Sequence, residues 1–436
     1  MNIHTLREGD VQSRRGRAIS YPHRRGLFKR AFSFLFSPAV AASLALVGYY
    51  AFAGLTNKLL PEGSLGGILI RAATTFVIIV AFLRFADRRN GVGMKFLFPL
   101  LVFATAYTLR LVHNFYVDTI YIYIPFDANQ VFMIFLASGI GPAIAIARMQ
   151  GAIRDDQFKT ALTFLCLLFL VGLALNRGEL SASSLGGSSG RLILEKINPI
   201  PMANTAFAFV IFYALIFMRS RRNLIEAVVL VPILMIVVLY AGSRGAFASG
   251  IAAILLYVLF LKGTRRIWAM VGLSAAAVAA FAFLGRQHFE FMISRFESMI
   301  GLGAGRIDGS TQIHLVQWET AFEQFLNDPL VGRYIIETSF NFYPHNIYLE
   351  SLASVGLLGS IFFLIHIMLA SRAAVGIIRQ PGFGMAAVFA AVLFFRSSIS
   401  YFATSSVWAA TDYWIASSLV IAIWYGAPRI LNQPWK

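Results

Sequence analysis

The segment Tyr343-Pro344-His345-Asn346-Ile347-Tyr348-Leu349-Glu350 sets an imidazole, an amide and a carboxyl close together. A histidine titrates near neutral pH and can take a proton from an attacking hydroxyl. Asn346 and Glu350 are four apart, so a helix would carry them on one face. The plainer reading is that His345 or Asn346 caps that helix. A second group is Ser243-Arg244-Gly245, a short turn between two apolar runs. Arg244 would offer a planar, permanently charged fork that matches phosphate oxygens. Gly245 would allow close backbone approach, and the helix start beyond it would favour an anion. The plainer reading of Arg244 is snorkelling to headgroups. Arg191 follows the Gly/Ser-rich run 181–190 and precedes Asn198-Pro199; alone it is an ordinary loop residue.

These residues must be held by apolar helices. The chain is 58% hydrophobic and 13% charged, against about 25% charged residues in soluble domains. Its formal charge of +17 lies in short clusters between apolar runs, not on one amphipathic face, which argues against nucleic acid. Twelve predicted spans result: 35–55, 64–84, 96–112, 128–147, 159–176, 201–219, 224–241, 246–262, 267–284, 347–371, 383–400 and 406–426. The fourth contains the small pair Ala137 and Gly141, suited to close helix approach. Residues 1–34 read as a disordered basic cytoplasmic tail. With both ends inside, 427–436 included, every predicted cytoplasmic loop is basic, as the positive-inside rule requires. The transmembrane block 35–284 is then followed by one large outer loop, 285–345, and by the last three spans within 346–426. Helical spacing in that loop predicts two amphipathic helices that lie on the membrane surface or cap a cavity, the second stopped by Asn327-Asp328-Pro329.

Ionisable residues within spans are costly unless they face a cavity or a partner. Arg71, Arg110, Glu350, Arg396 and Asp412 all fall in outer halves of spans and together predict one outward-opening polar cavity. The alternative is a few structural ion pairs, such as Arg396 with Asp412. His113-Asn114 reads mostly as loop. Outer loops carry no Asp-x-Asp pair or His/Cys cluster, so no metal is expected. Nothing resembles a nucleotide-binding loop, and no cofactor is expected. The single cysteine, Cys166, says nothing about redox compartment.

Four segments together resemble the O-antigen ligase and O-antigen or exopolysaccharide polymerase superfamily. They are Gly190-Arg191…Asn198-Pro199, Gly242-Ser243-Arg244-Gly245-Ala246, Trp318…Asp328-Pro329-Leu330-Val331-Gly332, and His345-Asn346-x-Tyr348-Leu349-Glu350 followed by Gly356-Leu357-Leu358-Gly359. The resemblance covers roughly the C-terminal 60% of the chain. It implies an all-α polytopic membrane fold like that of the C-type glycosyltransferases, in the bacterial inner membrane. It also implies glycosyl transfer on the periplasmic face. The donor would be a glycan on undecaprenyl pyrophosphate, and the acceptor a hydroxyl of lipid A–core or of another lipid-linked glycan. By the same resemblance Arg191 and Arg244 would hold the pyrophosphate and His345 would activate the acceptor. Ser243, Asn346, Glu350, Arg71 and Arg110 would support them. The family often has an Arg four residues before the loop Trp; here that position is His314, so either Arg306 reaches in or His314 plays a different part. A secondary transporter also fits twelve spans with both ends inside, but paired interrupted helices in two halves are missing.

Overall fold

The computed structural model describes residues 24–52, 63–86, 91–118, 127–176, 199–219, 224–264 and 309–426, with isolated positions besides. Among these, every regular element is a helix. In chain order they are α1 Lys29–Phe52, α2 Gly63–Phe85, α3 Lys95–Tyr116, α4 Ala128–Arg148, α5 Asp155–Leu175 and α6 Pro199–Arg219. There follow α7 Leu224–Ala241, α8 Arg244–Phe260, α9 Gly309–Asn327, α10 Ile347–Arg379, α11 Met385–Ser400 and α12 Thr411–Gly426. Six of them are long and apolar enough to cross a membrane, and four more are shorter apolar helices. The protein is an all-α polytopic membrane protein.

Eleven of the twelve predicted spans coincide with helices. The ninth, 267–284, lies outside the described residues, as do 1–23, the first predicted loop helix, Arg191 and Arg306. A helix runs from Arg24 to Leu35, so it already begins within the predicted tail. Local chemistry sets several boundaries. Ser37 caps the turn that starts at Pro38, accepting from the Val40 amide at 3.3 Å. Asp127 and Gln130 form a reciprocal capping box at the start of α4, which satisfies two amides the first turn would otherwise leave open.

The core is centred on α12, whose residues 413–422 are all buried. Around it pack α4, α10 and α11. Close approach of α4 and α12 occurs at Gly139, where a Cβ would lie 3.5 Å from the Trp414 ring. The predicted pair Ala137 and Gly141 acts differently: Thr75 donates to the Ala137 carbonyl at 3.2 Å, and a Cβ on Gly141 would meet the Leu136 carbonyl of its own helix at 2.9 Å. In this wide-turned part of α4 (Met133–Ile140), carbonyls are freed from the regular ladder.

The predicted span 406–426 is helical only from Thr411. Residues 401–410 form an irregular loop, anchored because Trp414 Nε1 donates to the Val407 carbonyl at 2.9 Å. The helix α9 ends at Asn327 as the Asn-Asp-Pro stop predicts.

Candidate functional site

The site is built where α10 begins. Asn346 is its N-cap, and Oδ1 accepts from the amides of Tyr348 at 3.0 Å and Leu349 at 3.1 Å. Capping is therefore what Asn346 does, and its oxygen is committed to it. His345, one residue earlier, has φ 56. A side chain in this left-handed region is uncommon and strained. The ring is half-buried. Its centroid lies 4.7 Å from that of His314, 4.4 Å from Tyr343 and 5.3 Å from Phe342. Burial first, and the nearby His314 second, lower the His345 pKa from 6.5 to about 3. Burial likewise raises the Tyr343 phenol to about 12. His345 is thus a neutral base at physiological pH, lodged among rings.

The second histidine comes from α9. His314 Nδ1 faces Gln317 Oε1 at 3.2 Å, which suits a proton on Nδ1 and a lone pair on Nε2. One turn on, Trp318 meets Phe402 of the 401–410 loop edge-on at 5.5 Å. His314 therefore has a part of its own: its ring stands perpendicular to that of His345.

The 401–410 loop is tied to α10 by Glu350, which is 0% exposed. Its carboxylate accepts from Tyr107 Oη at 2.5 Å, Ser406 Oγ at 2.7 Å and the Val407 amide at 3.1 Å. The Ile347 amide donates to the Tyr401 carbonyl at 3.1 Å. Glu350 thus joins α3, α10 and the loop. Across the loop sits the start of α8. Gly242 has φ 61 and Ser243 caps, its Oγ accepting from the Ala246 amide at 3.4 Å. Arg244 is the first helical residue, and a Cβ on Gly245 would touch Thr404 at 3.5 Å. The Arg244 turn and the His345 turn thus flank the same loop.

Among the described residues, the five charges expected to share one outward-opening cavity have separate sets of partners. Arg396 is 2% exposed. It donates to the Asn204 carbonyl at 2.6 Å and to Asp412 at 3.2 Å, the ion pair that was the plainer reading. Ser397 and Tyr401 also donate to Asp412. The guanidinium of Arg71 lies over the Tyr49 ring at 4.0 Å, and neighbouring Tyr50 is within electrostatic range of Arg71 and Asp412. These three charges form one group. Glu350 and Arg110 belong elsewhere, because each is taken up by its own structural partners.

Arg110 donates through Nη2 to the carbonyls of Val331 and Gly332, both at 2.9 Å. It clamps the turn that follows α9. That turn fits α10 through two glycines with positive φ, Gly332 at 64 and Gly356 at 60. A Cβ on Gly356 would lie 2.4 Å from the Leu330 carbonyl, and one on Gly332 would lie 2.5 Å from the Ser354 carbonyl carbon. Asn114 belongs to this structure too. It is buried near the end of α3, accepts from the Ile335 amide at 3.1 Å and donates to the Arg333 carbonyl at 3.0 Å. His113-Asn114 is therefore helix, not loop. Nothing in the sequence near Tyr107, Ser406 or Tyr401 marked them as partners of Glu350 and Asp412.

Fold and site together define a polytopic helical membrane protein with a histidine and an arginine turn flanking one loop. Residues 228–364 match the family model described as O-antigen ligase. That stretch holds Arg244, α9, His345 and Gly356, and supports the resemblance to the O-antigen ligase and polymerase superfamily. No curated protein matches the chain.

Proposed function

We propose that the protein is a membrane glycosyltransferase that moves a glycan from an undecaprenyl-pyrophosphate carrier to a sugar hydroxyl on the periplasmic face of the bacterial inner membrane. The observation that carries this reading is the placement of His345: its imidazole is held by φ 56 among His314, Tyr343 and Phe342, within the matched family segment. In the reaction the acceptor oxygen attacks the anomeric carbon and its proton passes to His345. The bond from that carbon to the pyrophosphate oxygen breaks, and the pyrophosphate leaves with the electron pair. Arg244, at the start of α8, and Arg191 would counter the charge that develops. A single displacement of this kind inverts the anomeric centre, and a retained configuration in the product would overturn it.

Both termini would be cytoplasmic, and 285–345 would be the periplasmic loop. Lipid A–core as acceptor makes the protein a ligase; a lipid-linked glycan makes it a polymerase. A deletion strain separates these, since loss of a polymerase leaves single-repeat product and loss of a ligase accumulates lipid-linked polymer. The test of the site is His345→Ala and Arg244→Ala, each assayed for surface polysaccharide at parental expression. Loss of product in both is expected, and unchanged product in both removes the site.

A further inference from the structure

The turn 328–333, between α9 and the His345 segment, lies at a depth that its place in a loop does not suggest. Between Glu350 and Arg372, α10 carries no Asp, Glu, Lys or Arg. At ~1.5 Å per residue, the stretch 351–371 is about one hydrocarbon thickness long. Leu357 and Leu358 therefore sit roughly 10 Å below its outer boundary. The turn is bonded at that level. The Leu357 amide donates to the Pro329 carbonyl at 2.8 Å, and the Leu358 amide to the Leu330 carbonyl at 3.0 Å. These bonds exist because α10 is broken at Gly356 (φ 60, ψ −166), which frees its amides sideways.

Non-helical backbone survives at membrane depth only where its polar groups are met by protein. Here each carbonyl from 329 to 333 is met. Pro329 and Leu330 accept from α10, Val331 and Gly332 from Arg110, and Arg333 from Asn114. The Gly332 amide donates to Asp328 at 3.0 Å and the Arg333 amide to Ala353 at 2.8 Å. The side chains face the other way. Leu330 is 60% exposed and Val331 57%. They lie beside Leu357 and Leu358, to which this turn is bonded, and these are exposed too, as are Ile361 further along α10 and Leu326 in the last turn of α9. The flanking charges, Arg333 and Asp328, are themselves exposed, at 60% and 39%. Arg333 and Asp328 approach each other at 3.8 Å, and Arg333 is bonded at the level of Ala353, nearer the surface.

We infer that the turn 328–333 and the last turn of α9 re-enter the bilayer on the His345 side, with lipid chains covering Leu326, Leu330 and Val331. The occupant is lipid because this ridge is continuous with the lipid-facing side of a spanning helix. A turn sunk this way anchors the C-terminal end of α9. Its N-terminal half, with His314, is then held close to the headgroups. The inference is independent of the reaction proposed above.

The test uses the full chain with Leu326→Cys, Leu330→Cys or, as an exposed loop control, Thr338→Cys. Each is spin-labelled and reconstituted in vesicles of phosphatidylethanolamine and phosphatidylglycerol. Cys166 is buried and does not compete for the label. Labels at 326 and 330 are expected to be relaxed by oxygen and to lose relaxation by a water-soluble nickel complex, whereas the label at 338 responds to nickel. Nickel relaxation at 326 and 330 equal to that at 338 overturns the inference. Labels shielded from both reagents mark a protein cover and overturn it too. Should the Leu330 variant fail to fold, the Leu326 label decides alone. No readout depends on glycan transfer.

Discussion

Replacing Glu350 by alanine removes the acceptor of three buried donors at once: Tyr107 Oη, Ser406 Oγ and the Val407 amide. A buried donor left without a partner costs about 1–3 kcal/mol, so the three together cost on the order of 3–9 kcal/mol. Net stabilities of folded domains are about 5–15 kcal/mol, so the change consumes much of what is available. The loss falls on the 401–410 loop, because two of the donors belong to it. Glu350→Gln is the graded control. Its carbonyl oxygen can still accept from Tyr107 and Ser406, but its amide group confronts the Val407 N–H, leaving about 1–3 kcal/mol unmet. The assay is thermal unfolding of the detergent-solubilised protein followed by tryptophan emission. Trp408 lies in the loop and is 3% exposed, so it reports the loop's opening. The expected order of melting is parent, then Gln, then Ala, with a red-shifted emission in Ala. An alanine variant that melts with the parent and keeps its emission would refute the assignment of Glu350 as the tie between α3, α10 and the loop.

Other outcomes follow from the same geometry. Gly356→Ala forces a side chain into a backbone conformation open essentially only to glycine (φ 60, ψ −166), costing about 1–3 kcal/mol, and into the Leu330 carbonyl as well. Limited proteolysis should then cut the 328–333 turn faster than in the parent. Arg110→Ala should expose the Val331 and Gly332 carbonyls, at about 1–3 kcal/mol for each left unmet, and hydrogen exchange should rise across 331–335. His345 should stay neutral as pH falls from 8 to 5, because its folded pKa of about 3 lies below the ordinary 6.5. Between those values the unfolded chain binds the extra proton, so the contribution of His345 to stability is complete above pH 6.5 and is lost as pH falls toward 3. Nitrogen NMR of labelled histidine checks this, and a resonance titrating near 6.5 that vanishes in His345→Ala would contradict it.

Much of the fold was legible because its signal is local. Apolar runs of bilayer length placed eleven helices, and Asn327-Asp328-Pro329 ended α9 where it does end. The loop 401–410 was not legible. Val407, Trp408, Ala409 and Ala410 are as apolar as a span, and hydropathy does not separate a buried loop from a helix. The charged residues show the same limit. Arg71, Arg110, Glu350, Arg396 and Asp412 were visible as exceptions in apolar runs. Which of them are neighbours depends on partners far away in the chain, such as Tyr107 for Glu350 and Val331 for Arg110. The glycines at 332 and 356 were visible within motifs, but their mutual fit is a matter of backbone conformation. His314 is visible in the sequence as a departure from the family pattern; that it faces His345 depends on the path of α9.

The Glu350 cage also has a history in time. Its carboxyl is on α10, one donor is 243 residues earlier on α3, and the others are 56 and 57 residues later. The chain enters the membrane from its N-terminal side, so α3 waits through the insertion of most of the protein before its tyrosine meets the acid. The loop that closes the cage arrives only with the last two helices. A chain stalled after α10 would hold a carboxyl with one donor of three, and His345 beside a loop that does not yet exist. The site is therefore assembled last, and quality control that recognises unpaired polar groups in the bilayer would see every unfinished copy.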